Sequence, residues 1–170
     1  MRPAGGRAPG WVRVAAGARE VRRLPTTGEH LAVDPAGRTA AVTSGSGEVT
    51  LWDVGTGRLL HTLTGHVGPV WDLAFSADGR ELATSGQDGT VRRWDVGSGR
   101  ATLALRGHQS VVYSVRTSPD GRQLVSAAAD GTVRVWAVDL DDLVRLAQQR
   151  LTRGLTDEEC RQYLQGEGCG

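Results

Sequence analysis

A repeat of 42 residues constrains the fold of this chain more than any other feature. Trp52, Trp94 and Trp136 recur at that interval. Three stretches of 27 residues align on these tryptophans without a gap, namely 28–54, 70–96 and 112–138. A chain of 170 residues with such a repeat is expected to build one supersecondary unit three times.

Within each unit the residue pattern predicts short β-strands joined by tight turns. Apolar and polar residues alternate in 81–84 and again in 90–94, as in strands with one buried face. Asp-Gly pairs, which favour hairpin turns, stand at 78–79, 88–89, 120–121 and 130–131. Four strands in about 40 residues is the spacing of one propeller blade.

These features resemble the WD40-repeat family over about residues 28–138. The resemblance implies an all-β fold, a partial WD40 β-propeller of about three four-stranded antiparallel blades. The expected repeats are 28–66, 67–108 and 109–138, within a repeat region 25–138.

In that family a hydrogen-bonded chain of His, Ser or Thr, Asp and Trp holds each blade. The matching side chains are His66, Thr84, Asp88 and Trp94 in the second repeat and His108, Ser126, Asp130 and Trp136 in the third. In the first repeat the same positions carry Leu24, Val42, Ser46 and Trp52. We therefore expect the first blade to hold by packing alone.

The same residue types also suggest a Ser-His-Asp catalytic triad. They recur at identical spacing in two successive repeats, whereas a triad occurs once in a site, so a structural role is favoured. Asp139, Asp141 and Asp142 lack the glycine and glutamate of a calcium loop and suit a helix start instead. We predict no catalytic residue, no cofactor and no metal site.

Charge and composition limit the classes of partner. All twenty basic residues are arginine, and the chain has no Lys, Ile or Asn, which indicates a high-GC and so bacterial genome. The net charge is +5 over 1–24, −1 over 25–138 and −3 over 139–170, so the body is a poor footprint for nucleic acid, although the basic arm 1–24 could touch phosphates. No run approaches the roughly 18 apolar residues of a membrane span. Two cysteines near the C-terminal end make no disulfide framework, and we expect a cytoplasmic protein.

The two ends of the chain differ from the repeats. Residues 139–170 predict an α-helical extension, with apolar residues at helical spacing over 140–151 and a capping box at 156–159. This tail resembles the C-terminal extension of large WD40-repeat proteins of high-GC bacteria, in which the propeller often follows a signalling domain. The alternative is a pair of amphipathic helices that pack on any core.

Three repeats cannot close a ring of the usual seven blades. The third repeat has no obvious fourth strand, and Trp11–Leu24 could supply an orphan outer strand. Open edges favour association. The chain is therefore either the C-terminal fragment of a longer reading frame or a piece that closes by forming oligomers.

The resemblance implies a protein-interaction scaffold whose partners dock on the face that bears the Gly-His loops. The expected contact positions are Pro69, Trp71 and Gln87 in the second repeat, Val111, Tyr113 and Ala129 in the third, and Thr27, Glu29 and Gly45 in the first. Trp71 and Tyr113 are typical binding anchors, although Trp71 could instead fold over a neighbouring blade. The alternative function is a propeller hydrolase or lyase with its site at the ring centre, where the inner strands offer few polar residues.

Overall fold

The structure is a computed structural model that describes residues 12–16, 19–24, 26 and 28–139. These residues form strands and turns, and they include no helix. None of them therefore forms a membrane-spanning helix. The chain divides into two compact units, Met1–Trp136 and Ala137–Gly170. The helical extension predicted after Asp139 lies outside the described residues.

Two short strands near the start of the chain pair only with each other. They are β1 (Val12–Ala16) and β2 (Arg19–Leu24), which run antiparallel. The sequence predicts one orphan strand in this region, and the structure has a two-stranded ribbon there.

The three repeats form three successive β-sheets. The first sheet contains β3 (Leu31–Val33), β4 (Thr39–Thr43), β5 (Val49–Asp53) and β6 (Leu59–Leu63) in that order. The second contains β7 (Val70–Phe75), β8 (Glu81–Gly86), β9 (Thr90–Asp95) and β10 (Ala101–Arg106). The third contains β11 (Val112–Thr117), β12 (Gln123–Ala128) and β13 (Val133–Ala137). Two sheets thus have four strands, and the described residues give the third sheet three.

The Asp-Gly pairs form the hairpin turns that the sequence predicts. Gly79 and Gly121 turn the chain between the first two strands of the second and third sheets, with φ of 71° in both. Gly89 and Gly131 turn it between the next two strands, with φ of 74° and 77°. A side chain disfavours this left-handed conformation, so glycine is the residue that allows the tight turn.

The sheets pack face to face through their first strands. β7 contacts β3 and β4 of the first sheet, and β11 contacts β7 and β8 of the second. The core between the first two sheets takes alternate residues from six strands, namely Ala41, Val49, Leu51, Leu63, Val70, Leu73, Leu82 and Trp94. Alternation places Ala40, Val42, Trp52 and Val54 in a second cluster, on the opposite face of the first sheet. Both faces of the first sheet are therefore buried at β4 and β5.

Candidate functional site

In the second sheet the four predicted side chains form one continuous hydrogen-bonded chain. The indole N–H of Trp94 donates to Thr84 Oγ1 at 2.9 Å, and Thr84 Oγ1 lies 2.8 Å from His66 Nε2. His66 Nδ1 lies 3.1 Å from both carboxylate oxygens of Asp88. Asp88 also accepts the backbone N–H of Val67 at 3.0 Å. The chain thus joins the loop before β7 to strands β8 and β9 and to the turn between them.

These contacts fix the protonation of the His66 ring. The Asp88 carboxylate can only accept, so His66 Nδ1 carries the proton, and Nε2 accepts the hydroxyl proton of Thr84. Burial is the largest influence on His66 and lowers its pKa below the ordinary 6.5, although Asp88 opposes this. Burial alone would raise the pKa of Asp88, but hydrogen bonds from Thr90 and Val67 hold it below 3.8. The chain therefore consists of a neutral imidazole and a charged carboxylate.

The third sheet repeats this arrangement. Trp136 Nε1 donates to Ser126 Oγ at 2.8 Å, and Ser126 Oγ lies 2.8 Å from His108 Nε2. His108 Nδ1 lies 3.0 Å from Asp130 Oδ2. Hydrogen bonds from the Thr132 side chain and then the Gln109 amide hold the pKa of Asp130 far below its ordinary value.

A fifth member of each chain was not among the predicted residues. Thr90 Oγ1 donates to Asp88 Oδ1 at 2.7 Å, and Thr132 Oγ1 donates to Asp130 Oδ1 at 2.6 Å. Each threonine stands two residues after its aspartate, in an Asp-Gly-Thr tripeptide that recurs at 88–90 and 130–132. That recurrence is the sequence signal for this contact.

The first sheet corrects the expectation that it holds by packing alone. Trp52 Nε1 donates to Thr50 Oγ1 at 2.9 Å, two residues earlier on the same strand. Val42 stands where the other sheets have Thr84 or Ser126, and its side chain cannot accept. The indole N–H of a largely buried Trp52 needs an acceptor, and Thr50 supplies it.

We expect the stability of the fold to fall as the pH drops below about 6.5. The unfolded chain takes up a proton on His66 near its ordinary pKa, whereas the folded chain resists, so acid favours unfolding. Each group of this kind contributes a slope of at most about 1.4 kcal/mol per pH unit within its window. Asp88 and Asp130 add a further loss only below 3.8, because their pKa values are lowered in the folded state.

Urea unfolding at pH 8, 7, 6 and 5 measures this dependence. The free energy of unfolding should stay level from pH 8 to 7 and then decline. In His66→Gln, which has no titrating ring, the decline between pH 7 and 5 should be smaller. A stability that rises from pH 7 to 5 would contradict the assignment of a neutral, buried His66.

Both histidines are poorly placed for catalysis. The two ring nitrogens of each are engaged in hydrogen bonds, and each residue is at most 9% exposed. A general base must reach the substrate proton directly or through one water. Among the described residues, no group of three His, Cys, Asp or Glu side chains is arranged to hold a metal ion.

The predicted aromatic positions form a row across the three sheets. The Trp71 ring meets the Tyr113 ring edge to face, with centroids 5.6 Å apart and planes at 88°. On its other side Trp71 faces His30 of the first sheet, 6.3 Å away. Tyr113 is 53% exposed and Trp71 37%. Trp71 thus touches both neighbouring sheets and still presents part of its ring to solvent.

The remaining predicted contact positions surround this row unevenly. Gln87 and Ala129 are exposed, and their amides donate to the carbonyls of Pro69 at 2.9 Å and Val111 at 2.8 Å. Pro69 and Val111 are half-buried. In the first sheet Glu29 and Gly45 are exposed, and Thr27 lies outside the described residues. His30, rather than the predicted Glu29, continues the aromatic row, and no repeat position signals it.

The inner strands are more polar than the sequence suggests. Asp72 on β7 accepts the hydroxyl of Ser114 at 2.9 Å and the amide of Val115 at 3.1 Å, and it pairs with Arg116. All three donors lie on β11, so Asp72 links the second sheet to the third. Ser114 stands 42 residues after Asp72, at the equivalent position of the next repeat.

Comparison with known proteins agrees with this geometry. The family model described as "WD domain, G-beta repeat" matches residues 57–95 and 99–137. The chain carries WD40 repeats. Each matched segment begins with the last strand of one sheet and continues with the first three strands of the next. Successive WD40 repeats therefore interlock, because each one completes the sheet of its predecessor.

Similar proteins share these repeats over limited lengths. A crystal structure of the RRP9 WD40 repeats superposes with a TM-score of 0.61 and 27% identity, over 64% of this chain and 34% of that chain. The periodic tryptophan protein 2 homolog of Schizosaccharomyces pombe is 48% identical over 48 residues, 28% of this chain. The matched part spans 6% of that relative's length.

Proposed function

We propose that the chain is a non-catalytic scaffold that binds other proteins, and that its partner docks on the aromatic row of His30, Trp71 and Tyr113. The exposed, edge-to-face pair of Trp71 and Tyr113 carries the proposal. The His, Ser, Thr and Asp groups that could suggest an enzyme are engaged with one another inside the sheets.

The aromatic row has the properties of a binding hot spot. Tryptophan and tyrosine offer large contact areas at a small cost in side-chain entropy, and they dominate many protein interfaces. The contact between Trp71 and Tyr113 holds each ring in place before a partner arrives, which reduces the entropy lost on binding. Exposed polar residues such as Gln87 and Glu29 would form the rim.

Peptide binding by variants of the row tests the proposal. Peptides are selected from a random displayed library on the wild-type chain, and their dissociation constants are measured by fluorescence anisotropy. Trp71→Ala and Tyr113→Ala should each weaken the selected peptides by about thirtyfold, which corresponds to the loss of a hot-spot residue of about 2 kcal/mol. Leu60→Ala removes a comparably exposed apolar side chain from β6, and it should leave binding unchanged.

Stability measurements separate a binding role from a structural one. Both ring variants should keep most of their free energy of unfolding, since both rings are partly exposed. The proposal fails if the peptides bind Trp71→Ala and Tyr113→Ala as tightly as they bind the wild-type chain. It also fails if Trp71→Ala unfolds while a folded Tyr113→Ala retains full binding.

The cellular setting is part of the same proposal. The acidic C-terminal segment 139–170 and the arginine-only composition support a cytoplasmic protein from a high-GC bacterium, in which this chain is the C-terminal part of a signalling protein. An antibody against the repeats should then detect a product longer than 170 residues in the source organism. A product of this length alone would contradict that setting and leave the aromatic row untouched.

A further inference from the structure

One face of the third sheet is apolar and open to solvent, although the equivalent faces of the other sheets are buried. Val49, Val91 and Val133 occupy the same position of the three repeats, 42 residues apart. They are 0%, 0% and 68% exposed. In the first sheet this face packs against the second sheet. We call it the trailing face, and that of the third sheet includes Val125, Val133 and Val135.

The other two valines show the same contrast. Val125 is 36% exposed, whereas its equivalents Ala41 and Ala83 are 0% and 1% exposed. Val135 is 63% exposed, and its equivalent Leu51 is fully buried. Three branched apolar side chains thus lie together on two adjacent strands, where the repeat has packed against another sheet twice before.

The trailing face of the third sheet also lacks charge. In the second sheet the equivalent face carries an ion pair between Arg93 and Glu81, and both side chains are largely buried. The third sheet has Val135 and Gln123 at these two positions. Two such faces can therefore meet without opposing like charges and without burying an unpaired one.

The opposite end of the stack does not offer a matching open face. On the first sheet Ala40, Val42, Trp52 and Val54 are at most 8% exposed. Only Leu31 and Val33 of β3 are partly open there, at 43% and 38%. The two ends are unequal, so a head-to-tail contact would leave part of the third sheet uncovered. A second third sheet is the more complementary occupant.

We propose that the trailing face of the third sheet packs against the same face of a second copy of this chain, about a twofold axis. This contact is isologous, so it closes at two copies and does not propagate into a filament. It buries Val125, Val133 and Val135 of both copies as the internal trailing faces are buried. It leaves the aromatic row free, so it is independent of the proposed function.

Light scattering on a sizing column measures the mass of the full 170-residue chain. The wild-type chain should elute as two copies. The double variant Val133→Asp/Val135→Asp places two carboxylates on the face of each copy and should elute as one copy, with a dissociation constant raised at least about a hundredfold. Leu59→Asp adds a charge at an exposed position of β6 and should remain two copies. Trp71→Ala should also remain two copies.

Three results would overturn the proposal. The first is a mass of one copy for the wild-type chain at all concentrations, which means that another part of the same chain covers the face. The second is a dimer that persists in the folded aspartate variant. The third is an open series of oligomers abolished by Leu31→Asp, which indicates head-to-tail contact. If the aspartate variant does not fold, the nearly isosteric Val133→Thr/Val135→Thr must weaken the dimer instead.

Discussion

Trp94→Ala is expected to lower the free energy of unfolding by about 3–5 kcal/mol. Trp94 is 2% exposed and belongs to the core between the first and second sheets. Its loss leaves a cavity at the packing surface of two sheets, and it removes the donor that holds Thr84. Urea unfolding followed by circular dichroism gives the change.

Trp136→Ala is the matched control, because it removes the equivalent residue from the last sheet. Trp136 makes the same indole hydrogen bond but is only partly buried. Its substitution should therefore cost clearly less than that of Trp94. If the two variants lose equal stability, the hydrogen bond rather than packing between sheets sets the cost. A loss below about 1 kcal/mol for Trp94→Ala would contradict its place in the core.

The strands and turns could be predicted from the sequence because the forces that form them are local. An Asp-Gly pair between alternating segments forms a hairpin with little regard to its surroundings, as at Gly79 and Gly89. The 42-residue period then extended the prediction to the chain His66, Thr84, Asp88 and Trp94, which the structure brings together.

Contacts that depend on how the sheets pack could not be predicted in this way. Thr50 serves as the indole acceptor in the first sheet because Val42 cannot, and this choice depends on the placement of the ring. His30 lies beside Trp71 although it stands one position away from the repeat register. The carboxylate of Asp72 reaches three donors on a strand 42 residues later, where only the stacking of two sheets brings them together.

Asp88→Ala is expected to lower the free energy of unfolding by about 2–4 kcal/mol. Asp88 accepts from the Val67 amide, the Thr90 amide and hydroxyl, and His66 Nδ1. Alanine leaves these donors without a partner. The Nδ1–H of His66 suffers most, since its side chain is only 1% exposed and water cannot replace the carboxylate. Urea unfolding at pH 8 measures the loss with His66 neutral in both states.

Asp78→Ala separates the long-range contacts of Asp88 from its local role in a turn. Asp78 also precedes a turn glycine, and it accepts only from its neighbours, Ser76 Oγ at 2.6 Å and the Arg80 amide at 3.0 Å. Its side chain is 60% exposed, so water can take over both contacts. The urea midpoint of Asp78→Ala should therefore stay close to that of the wild-type chain. Equal losses in the two variants would mean that turn formation, and not the link to His66, gives Asp88 its weight in the fold.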